Sequence, residues 1–287
     1  MKIKFIKIRY SINRCLILRV CLSLCVISEK KYLSDQVANM FDSIAHRYDF
    51  LNHFLSGGFD FYWRRKALKL LGNPAPNLVL DVACGTGDFS AAAVNCGCQK
   101  VYGIDIAEKM LEIGKDKISK KQLSDRITLQ TGSAESIAFD SNYFDAAMSA
   151  FGVRNFENLE KGLSEMHRVL KTGGKILVLE FSKPKFSPFK QIYFFYFKHI
   201  LPLIGKLISK NDEAYRYLPN TVMQFPEGEE FLKILNQIGY KETKQHRLTF
   251  GIVSVYIGAK SPAGSGINFE HRANNKLPMT TDKYRTS

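Results

Sequence analysis

Two glycines in a short turn, followed by an aspartate at the end of the next apolar segment, are the residues whose spacing first indicates chemistry. Residues 79–88 read V-L-D-V-A-C-G-T-G-D, and Asp105 ends the segment V-Y-G-I-D. The pattern predicts a strand, a glycine turn, a helix start and a second strand with a carboxylate at its tip. Such an arrangement binds a ribose-bearing cofactor at the carboxyl edge of a parallel sheet, where Asp105 would accept hydrogen bonds from the ribose hydroxyls.

The residues around the turn indicate which cofactor fits. Gly85 and Gly87 let the backbone approach a ligand closely. Ser90 stands where a dinucleotide fingerprint has its third glycine or alanine. Asp81 and Asp88 place carboxylates on both sides of the turn, so a diphosphate would meet like charge. S-adenosylmethionine has a sulfonium, an ammonium group and no phosphate, and it is therefore the predicted cofactor.

Composition excludes several classes of protein. Hydrophobic residues make up 45% and charged residues 24% of the 287-residue chain, as in an ordinary globular protein. The six cysteines form no C-x-x-C pair and no paired zinc-ligand spacing, so we expect reduced thiols in a cytosolic protein and no metal site. The net charge is +14, but residues 1–31 alone carry eight Lys or Arg and one Glu. The remaining charge is too modest to indicate a nucleic-acid partner.

Three regions are predicted along the chain. Residues 1–33 are basic and then apolar, but too short and interrupted to span a bilayer, and we expect them to lie outside the fold. Residues 34–260 form the main domain. Residues 261–287 are polar and rich in Gly, Pro and Asn, and a disordered tail is predicted.

Strands and helices alternate through the main domain. Strands are predicted at Leu78–Val82, Lys100–Ile104, Ile127–Gln130, Phe144–Ser149, Lys175–Glu180, Thr243–Leu248 and Ile252–Ala259. Helices are predicted at Asp88–Asn95, Glu108–Ile118, Glu157–Leu170 and Gly228–Ile238, and Gly173-Gly174 is interpreted as the stop signal of the third.

This alternation predicts an α/β fold, a Rossmann-like, doubly wound, mostly parallel sheet of seven strands. The last two strands are expected to form an antiparallel hairpin at the sheet edge. Residues 34–72 form an N-terminal helical cap over the cofactor mouth, and residues 181–226 form a helical insert after the fifth strand.

At this point the chain resembles a known family, the ubiquinone/menaquinone biosynthesis C-methyltransferases. The resemblance covers about residues 34–260 and rests on the segments F-D-S-I-A-H-R-Y-D (41–49), L-D-V-A-C-G-T-G-D (80–88), Y-G-I-D (102–105), F-G-V-R-N (151–155), H-R-V-L-K-T-G-G-K (167–175), L-E-F-S-K-P (179–184) and Y-R-Y-L-P (215–219). It implies a class I fold and methyl transfer from S-adenosylmethionine to a ring carbon of a polyprenylated quinol. The residue choices look closer to the menaquinone members, so demethylmenaquinol is the preferred acceptor and a benzoquinol the alternative.

The resemblance also implies a set of cofactor contacts. They fall on Thr86, on Asp105 and on Ser133-Ala134 after the third strand, and together with the turn the predicted set is Asp81, Gly85, Thr86, Gly87, Asp105, Ser133 and Ala134. Many members carry a serine before F-G-[LIV]-R-N, where this chain has Ala150. Ser149 points to the other face if the strand continues.

Methyl transfer to a phenolic ring carbon requires a base and a group that stabilises the phenolate. Arg154 and Asn155 follow the fourth strand at the edge where such sites open, and both are predicted to be catalytic. Arg154 would stabilise the phenolate oxygen, and Asn155 would orient a water or the hydroxyl. The alternative is a loop whose Arg154 forms a surface ion pair with Glu157.

Four further residues are candidates for the acceptor pocket: His46, Tyr48, Tyr215 and Tyr217. A histidine in this position is more often a packing or capping residue, and the tyrosines are equally ordinary as core residues.

Residues 186–208 indicate where the acceptor is collected. The segment is rich in aromatic residues, contains Lys190, Lys198 and Lys206, and is broken by Pro188 and Pro202. We expect an interfacial contact with a membrane, rather than a spanning helix. The alternative is packing on the sheet or a homodimer contact. The predicted enzyme is cytoplasmic and transiently membrane-associated.

Two rival functions remain at this stage. A nucleic-acid methyltransferase acting on exocyclic amines would carry [N/D]-P-P-[Y/F] after the fourth strand, and one acting on pyrimidine carbons would need a Pro-Cys pair; the chain has neither. A non-catalytic, methyltransferase-like scaffold would not need the intact glycine turn and Asp105.

Overall fold

The short apolar segments assemble into one central sheet. The computed structural model describes residues 36–50, 52–54, 56–196 and 212–261. The predictions for residues 1–33, for 197–208 and for the tail after 261 lie outside the described residues, as does the side chain of Tyr215.

The sheet has seven strands in the order β3-β2-β1-β4-β5-β7-β6. The strands are β1 Leu78–Val82, β2 Lys100–Asp105, β3 Ile127–Thr131, β4 Phe144–Ala150, β5 Leu170–Phe181, β6 Tyr240–Leu248 and β7 Val253–Lys260. Strands β1 to β5 are parallel, and β7 pairs antiparallel with both β5 and β6. The predicted sheet and its antiparallel hairpin are therefore confirmed.

Helices lie before, between and after these strands. Residues 36–50 form α1, and the others are α2 Phe59–Leu68, α3 Asp88–Asn95, α4 Glu108–Lys120, α5 Leu159–Val169, α6 Phe189–Phe195, α7 Asp212–Gln224 and α8 Glu229–Ile238. Helices α1 and α2 lie in the predicted cap, and α6 and α7 in the predicted insert. Among the described residues, no helix has both the length and the apolar character needed to cross a bilayer.

The sheet buries a core on each face because successive side chains of a strand point to opposite sides. In β1, Val79 packs into the core beside α2, α3 and α4, whereas Leu80 packs into the core beside α5 and α8. Strand β1 pairs with β2 on one side and β4 on the other. The direction in which the chain adds strands reverses between β1 and β4, and ligands of such sheets bind at the carboxyl ends of the strands at that point.

The third predicted helix ends within one residue of its expected end at Leu170, but the stop signal assigned to it was wrong, and β5 begins at Leu170 rather than at Lys175. The helix α5 begins after Asn158, whose side chain accepts a hydrogen bond from the backbone N–H of Lys161 at 3.0 Å, and it stops at Val169. Gly173-Gly174 therefore lies within β5 and does not end the helix. A Cβ on Gly174 would lie 2.8 Å from the carbonyl oxygen of Lys171, so glycine is needed for the strand to turn here, next to the bulge in its pairing with β4.

Candidate active site

A cavity of about 370 Å³ opens at the carboxyl edge of the parallel strands. This volume lies within the usual range for small-molecule sites. The turn after β1 contributes Ala83 and Gly85, the tip of β2 contributes Asp105, and the loops after β3 and β4 supply most of the remaining wall. Helices α1 and α7 contribute Val37, Phe41, Tyr48, Tyr217, Thr221 and Gln224. The cap and the insert thus meet over the sheet edge.

The glycine turn is held directly by Asp105. The backbone N–H of Gly85 donates to Oδ2 of Asp105 at 2.7 Å, and that of Ala107 donates to Oδ1 at 2.9 Å. Burial raises the pKa of Asp105, and the backbone hydrogen bonds from Ala107 and Gly85 oppose this rise. Each carboxylate oxygen can accept a second hydrogen bond, so Asp105 can hold the turn and still accept from a ligand.

The loop after β4 is folded tightly against that turn. Ala83 and Phe151 both have left-handed backbones, with φ of 57° and 60°, an uncommon conformation that tends to occur at functional sites. A Cβ on Gly152 would lie 2.6 Å from Cβ of Ala83. Ala150 lines the cavity, whereas Ser149 is fully buried and does not line it, as the strand alternation predicted.

Arg154 reaches the cavity from a buried ion pair. Its Nη1 donates to Oε1 of Glu180 at 2.7 Å and to the carbonyl oxygen of Phe151 at 2.5 Å. The side chains of Arg154 and Glu180 are 6% and 1% exposed. Burial raises the pKa of Glu180, and the charge of Arg154 opposes this rise. The alternative of a surface pair with Glu157 is wrong, because the partner is a buried residue of β5.

Asn155 lies beside the insert. Its Oδ1 accepts a hydrogen bond from the hydroxyl of Tyr217 at 3.1 Å, and both residues line the cavity. Tyr48 lines the same cavity, and its ring contacts that of Phe41 edge-on, with 5.8 Å between ring centroids. Burial raises the pKa of both Tyr48 and Tyr217. Two of the four predicted acceptor residues thus lie with the predicted catalytic pair.

Five of the predicted site residues do not line the cavity as the structure describes it. Asp81 is fully buried and accepts from the hydroxyl of Ser90 at 2.6 Å, and burial raises its pKa to about 7. The Thr86 hydroxyl donates to Asp49, and His46 is exposed. The remaining two are Gly87, which lies against the core, and Ser133, whose hydroxyl donates to Glu135. The roles that the sequence predicted for these five residues therefore stay predictions, and the structure places them outside the cavity wall.

Thr86 and Asp88 instead belong to a charged network under the turn, which sequence analysis missed. Nζ of Lys117 donates to Asp49 at 2.6 Å, to Asp88 at 2.7 Å and to Thr86 at 2.8 Å. The pKa of Asp88 is raised by burial and lowered by Lys117, and the net direction is down. Lys117 thereby ties the cap to α3 and α4. In the sequence, Lys117 is one of several lysines near the end of α4, and nothing local distinguishes it from its neighbours.

Glu135 and Glu157 are the two cavity carboxylates that sequence analysis did not assign to the site. Glu135 follows β3 at the same sheet edge as Asp105, which was an available signal. With Asp105, the wall carries three carboxylates and one permanent cation, Arg154. Such a cavity suits a cationic ligand better than an anionic one. Among the described residues, no cluster of three His, Cys, Asp or Glu could hold a metal ion.

The fold and this site define a class I methyltransferase. The chain belongs to the ubiE/COQ5 methyltransferase family, whose model matches residues 27–260. The predicted S-adenosylmethionine dependence is confirmed at the level of family and fold.

Two relatives illustrate the similarity in sequence. A demethylmenaquinone methyltransferase of Bacteroides fragilis is 46% identical over 228 residues, which are 79% of this chain and 93% of the relative. A ubiquinone/menaquinone biosynthesis C-methyltransferase UbiE of a Geobacter species is 45% identical over 236 residues, 82% of this chain and 99% of the relative.

Solved structures share the fold at lower identity. A Thermotoga maritima S-adenosylmethionine-dependent methyltransferase gives a TM-score of 0.54 at 19% identity, covering 78% of this chain and 99% of that one. A Haemonchus contortus phosphoethanolamine N-methyltransferase, solved with S-adenosylhomocysteine, gives 0.58 at 16% identity, covering 80% of this chain and 60% of that one.

Proposed function

We propose that this chain transfers a methyl group from S-adenosylmethionine to a ring carbon of demethylmenaquinol, forming menaquinol. The observation that carries the proposal is the single cavity that Asp105 lines together with Arg154, Asn155 and Tyr217. The names of the relatives at 45–46% identity support the same reaction.

The cofactor side of the cavity fits a ribose-bearing cation. Asp105 would accept hydrogen bonds from the ribose hydroxyls, while Gly85 leaves room for close backbone approach. Ala134 and Glu135 lie one strand further along and would flank the adenine. When bound, the cofactor supplies an electrophilic methyl group on a positively charged sulfur, and the three carboxylates of the wall would favour that charge over a phosphate.

The acceptor side of the cavity offers groups for a phenol that is losing its proton. Both described hydrogen bonds of Arg154 use Nη1, so Nη2 is left to stabilise a phenolate oxygen. Asn155 and Tyr217 are already hydrogen-bonded to each other and would orient the hydroxyl or a water that removes its proton. The ring carbon next to the phenolate would form a bond to the methyl carbon, the methyl–sulfur bond would break with its electron pair staying on sulfur, and the ring proton would pass to water, which restores aromaticity. Tyr48 would pack against the ring.

The insert supports collection of the acceptor from a membrane, on the cytoplasmic side. In α6 and the residues just before it, Phe186, Ile192 and Phe195 are 77%, 61% and 59% exposed. Lys185 and Lys190 are exposed beside them. Rings and lysines in this arrangement suit the interface between headgroups and acyl chains.

The test is turnover with labelled cofactor and a short-chain demethylmenaquinol in detergent, with product mass as the readout. A product heavier by one methyl group is expected. Asp105→Ala should weaken cofactor binding by tens of fold, because a hydrogen-bonded charge contributes about 1.5–3 kcal/mol. Asp125→Ala, a surface aspartate, is the matched control. A properly folded preparation that binds the cofactor but leaves the quinol unmethylated would contradict the proposal.

A benzoquinol acceptor is the second candidate, because the Geobacter relative is named for both quinones. The two acceptors are compared by kcat/KM in the same assay. A higher value for the benzoquinol would replace the preferred acceptor and leave the reaction class intact.

A further inference from the structure

The outer face of α2 exposes an unusual combination of aromatic rings and cations. Phe59, Phe61 and Tyr62 are 53%, 57% and 48% exposed. Arg65, Lys66 and Lys69 follow on the same helix and its last turn and are also exposed. We call these six residues the α2 face. Several exposed rings grouped on one helix face indicate an interaction site, whereas a single exposed ring would not.

The α2 face carries no compensating negative charge. The one acidic residue of the helix, Asp60, is 2% exposed and points inward, where it bonds to Arg64, His53 and Ser56. Nζ of Lys66 lies 5.6 Å from the ring centroid of Tyr62. The rings thus begin in the first half of the helix, and the cations follow about one turn later, close enough for Lys66 to reach Tyr62.

The α2 face lies one layer outside the wall of the active site. On the inner side of the helix, the ring of Trp63 lies 6.2 Å from that of Phe151, a residue of the cavity wall. The indole N–H of Trp63 donates to Thr249 at 2.7 Å. The next residue, Phe250, is 64% exposed and stacks on Phe189 of α6 at 3.8 Å. The helix is therefore linked to the cavity wall by a ring contact, and to the insert by the hydrogen bond to Thr249 and the stacking of the adjacent Phe250.

We propose that the α2 face is a second membrane-docking element, which binds the surface of an anionic bilayer. Its rings would enter the headgroup layer while its cations contact lipid phosphates, as charge complementarity requires. The inference rests on the proposed function in one respect: an acceptor that resides in the bilayer is the reason for the enzyme to dock there. Together with α6, the α2 face would hold the cavity against the membrane from two sides.

A second copy of the chain fits this face less well. Two such faces brought together would bury three cations from each copy without a carboxylate on either face to neutralise them, and uncompensated like charge in an interface is costly. A lipid surface offers the opposite charge and an apolar layer together.

The test is co-sedimentation of the full chain with phosphatidylcholine vesicles that contain or lack phosphatidylglycerol. Lys66→Glu with Lys69→Glu should weaken binding to the anionic vesicles by about five-fold or more for each lysine. Phe61→Ser with Tyr62→Ser should weaken it by about ten-fold. Lys241→Glu with Lys244→Glu changes two exposed lysines on the edge strand β6 and is the matched charge control. Its loss of net positive charge is the same, so any weakening of vesicle binding that exceeds the control by more than about two-fold belongs to the α2 face itself.

Methyl transfer to a short-chain acceptor in detergent is measured on the same proteins. It should be unchanged in all of them, because the α2 face does not line the cavity. Unchanged vesicle binding in both α2 variants would overturn the docking proposal while leaving the proposed reaction intact. If Phe61→Ser with Tyr62→Ser instead converted a dimer into monomers without affecting vesicle binding, the face would be a contact between chains and the proposal would be wrong. Failure of the wild-type chain to methylate the acceptor would overturn the proposed function alone.

Discussion

The buried pair between Arg154 and Glu180 allows a prediction that links stability to turnover. Arg154→Met removes the only described cation that contacts the carboxylate of Glu180, whose side chain is 1% exposed. Breaking a buried ion pair by removing one partner costs about 3–5 kcal/mol of unfolding free energy. For a domain of this size, that is a fall in Tm of roughly 6–20 °C.

The pKa of Glu180 also predicts how this loss of stability depends on pH. Burial already raises the pKa of Glu180, and Arg154 opposes the rise, so Arg154→Met should raise that pKa further. A group whose pKa is raised on folding contributes stability at low pH that is lost as the pH rises through its folded value. The deficit of the variant should therefore shrink as the pH is lowered, because protonated Glu180 needs no counter-charge.

Glu180→Gln changes the other partner of the pair, which does not itself line the cavity. It should cost stability by a similar mechanism and should lower kcat by about ten-fold or more, because a small misplacement of Arg154 weakens stabilisation of the transition state. The KM for S-adenosylmethionine should stay unchanged, since Glu180 lies on the acceptor side.

Urea unfolding at several pH values and steady-state kinetics measure these effects. Lys171→Met, which removes a half-exposed pair with Asp145, is the control and should cost less than about 1 kcal/mol. In the double variant Arg154→Met with Glu180→Gln, the cost should fall well below the sum of the two single costs. Additive costs, with kcat of Glu180→Gln at the wild-type value, would refute the reasoning.

Three further changes test other parts of the site. Gly152→Ala should cost about 1–3 kcal/mol and reduce cofactor binding, because its Cβ would lie 2.6 Å from a neighbouring Cβ. In thermal unfolding, Gly173→Ala is the comparison for backbone strain alone, because φ is 79° there and the space is open, and it should leave cofactor binding unchanged. Burial raises the pKa of Asp81 to about 7, so its protonated form stabilises the fold at low pH and this contribution is lost between about pH 4 and pH 7. Asp81→Asn should therefore make stability less dependent on pH across that range. Urea midpoints that change with pH as much in the variant as in the wild type would contradict this. Lys117→Met should raise the pKa of Asp88, which carboxyl NMR measures, and should make the cap more sensitive to proteolysis. An unchanged pKa of Asp88 would show that Lys117 does not hold the network.

Local pattern was enough to place the elements that carry the cofactor turn. Strand β1 at Leu78–Val82 and helix α3 at Asp88–Asn95 lie where the sequence predicted them, because apolar alternation and a glycine turn act over a few residues. The strand tip at Asp105 followed for the same reason. The start of β5 was misplaced, at Lys175 instead of Leu170, because Gly173-Gly174 serves equally well to stop a helix and to bend a strand, and only pairing with β4 decides between them.

The sequence by itself therefore determined the fold class, the cofactor turn and the loop that carries Arg154 and Asn155. Only the tertiary structure decided their partners. Arg154 pairs with Glu180, 26 residues away, and Asn155 accepts from Tyr217, 62 residues away. Asp49 of the cap meets Lys117, 68 residues away. The order of strands in the sheet and the packing of the cap and the insert over its edge bring these residues together, and no local spacing encodes that order. The carboxylates around the glycine turn show the same division, because the sequence placed Asp81 and Asp88 beside a cofactor and packing made one a buried acid and the other the anchor of Lys117.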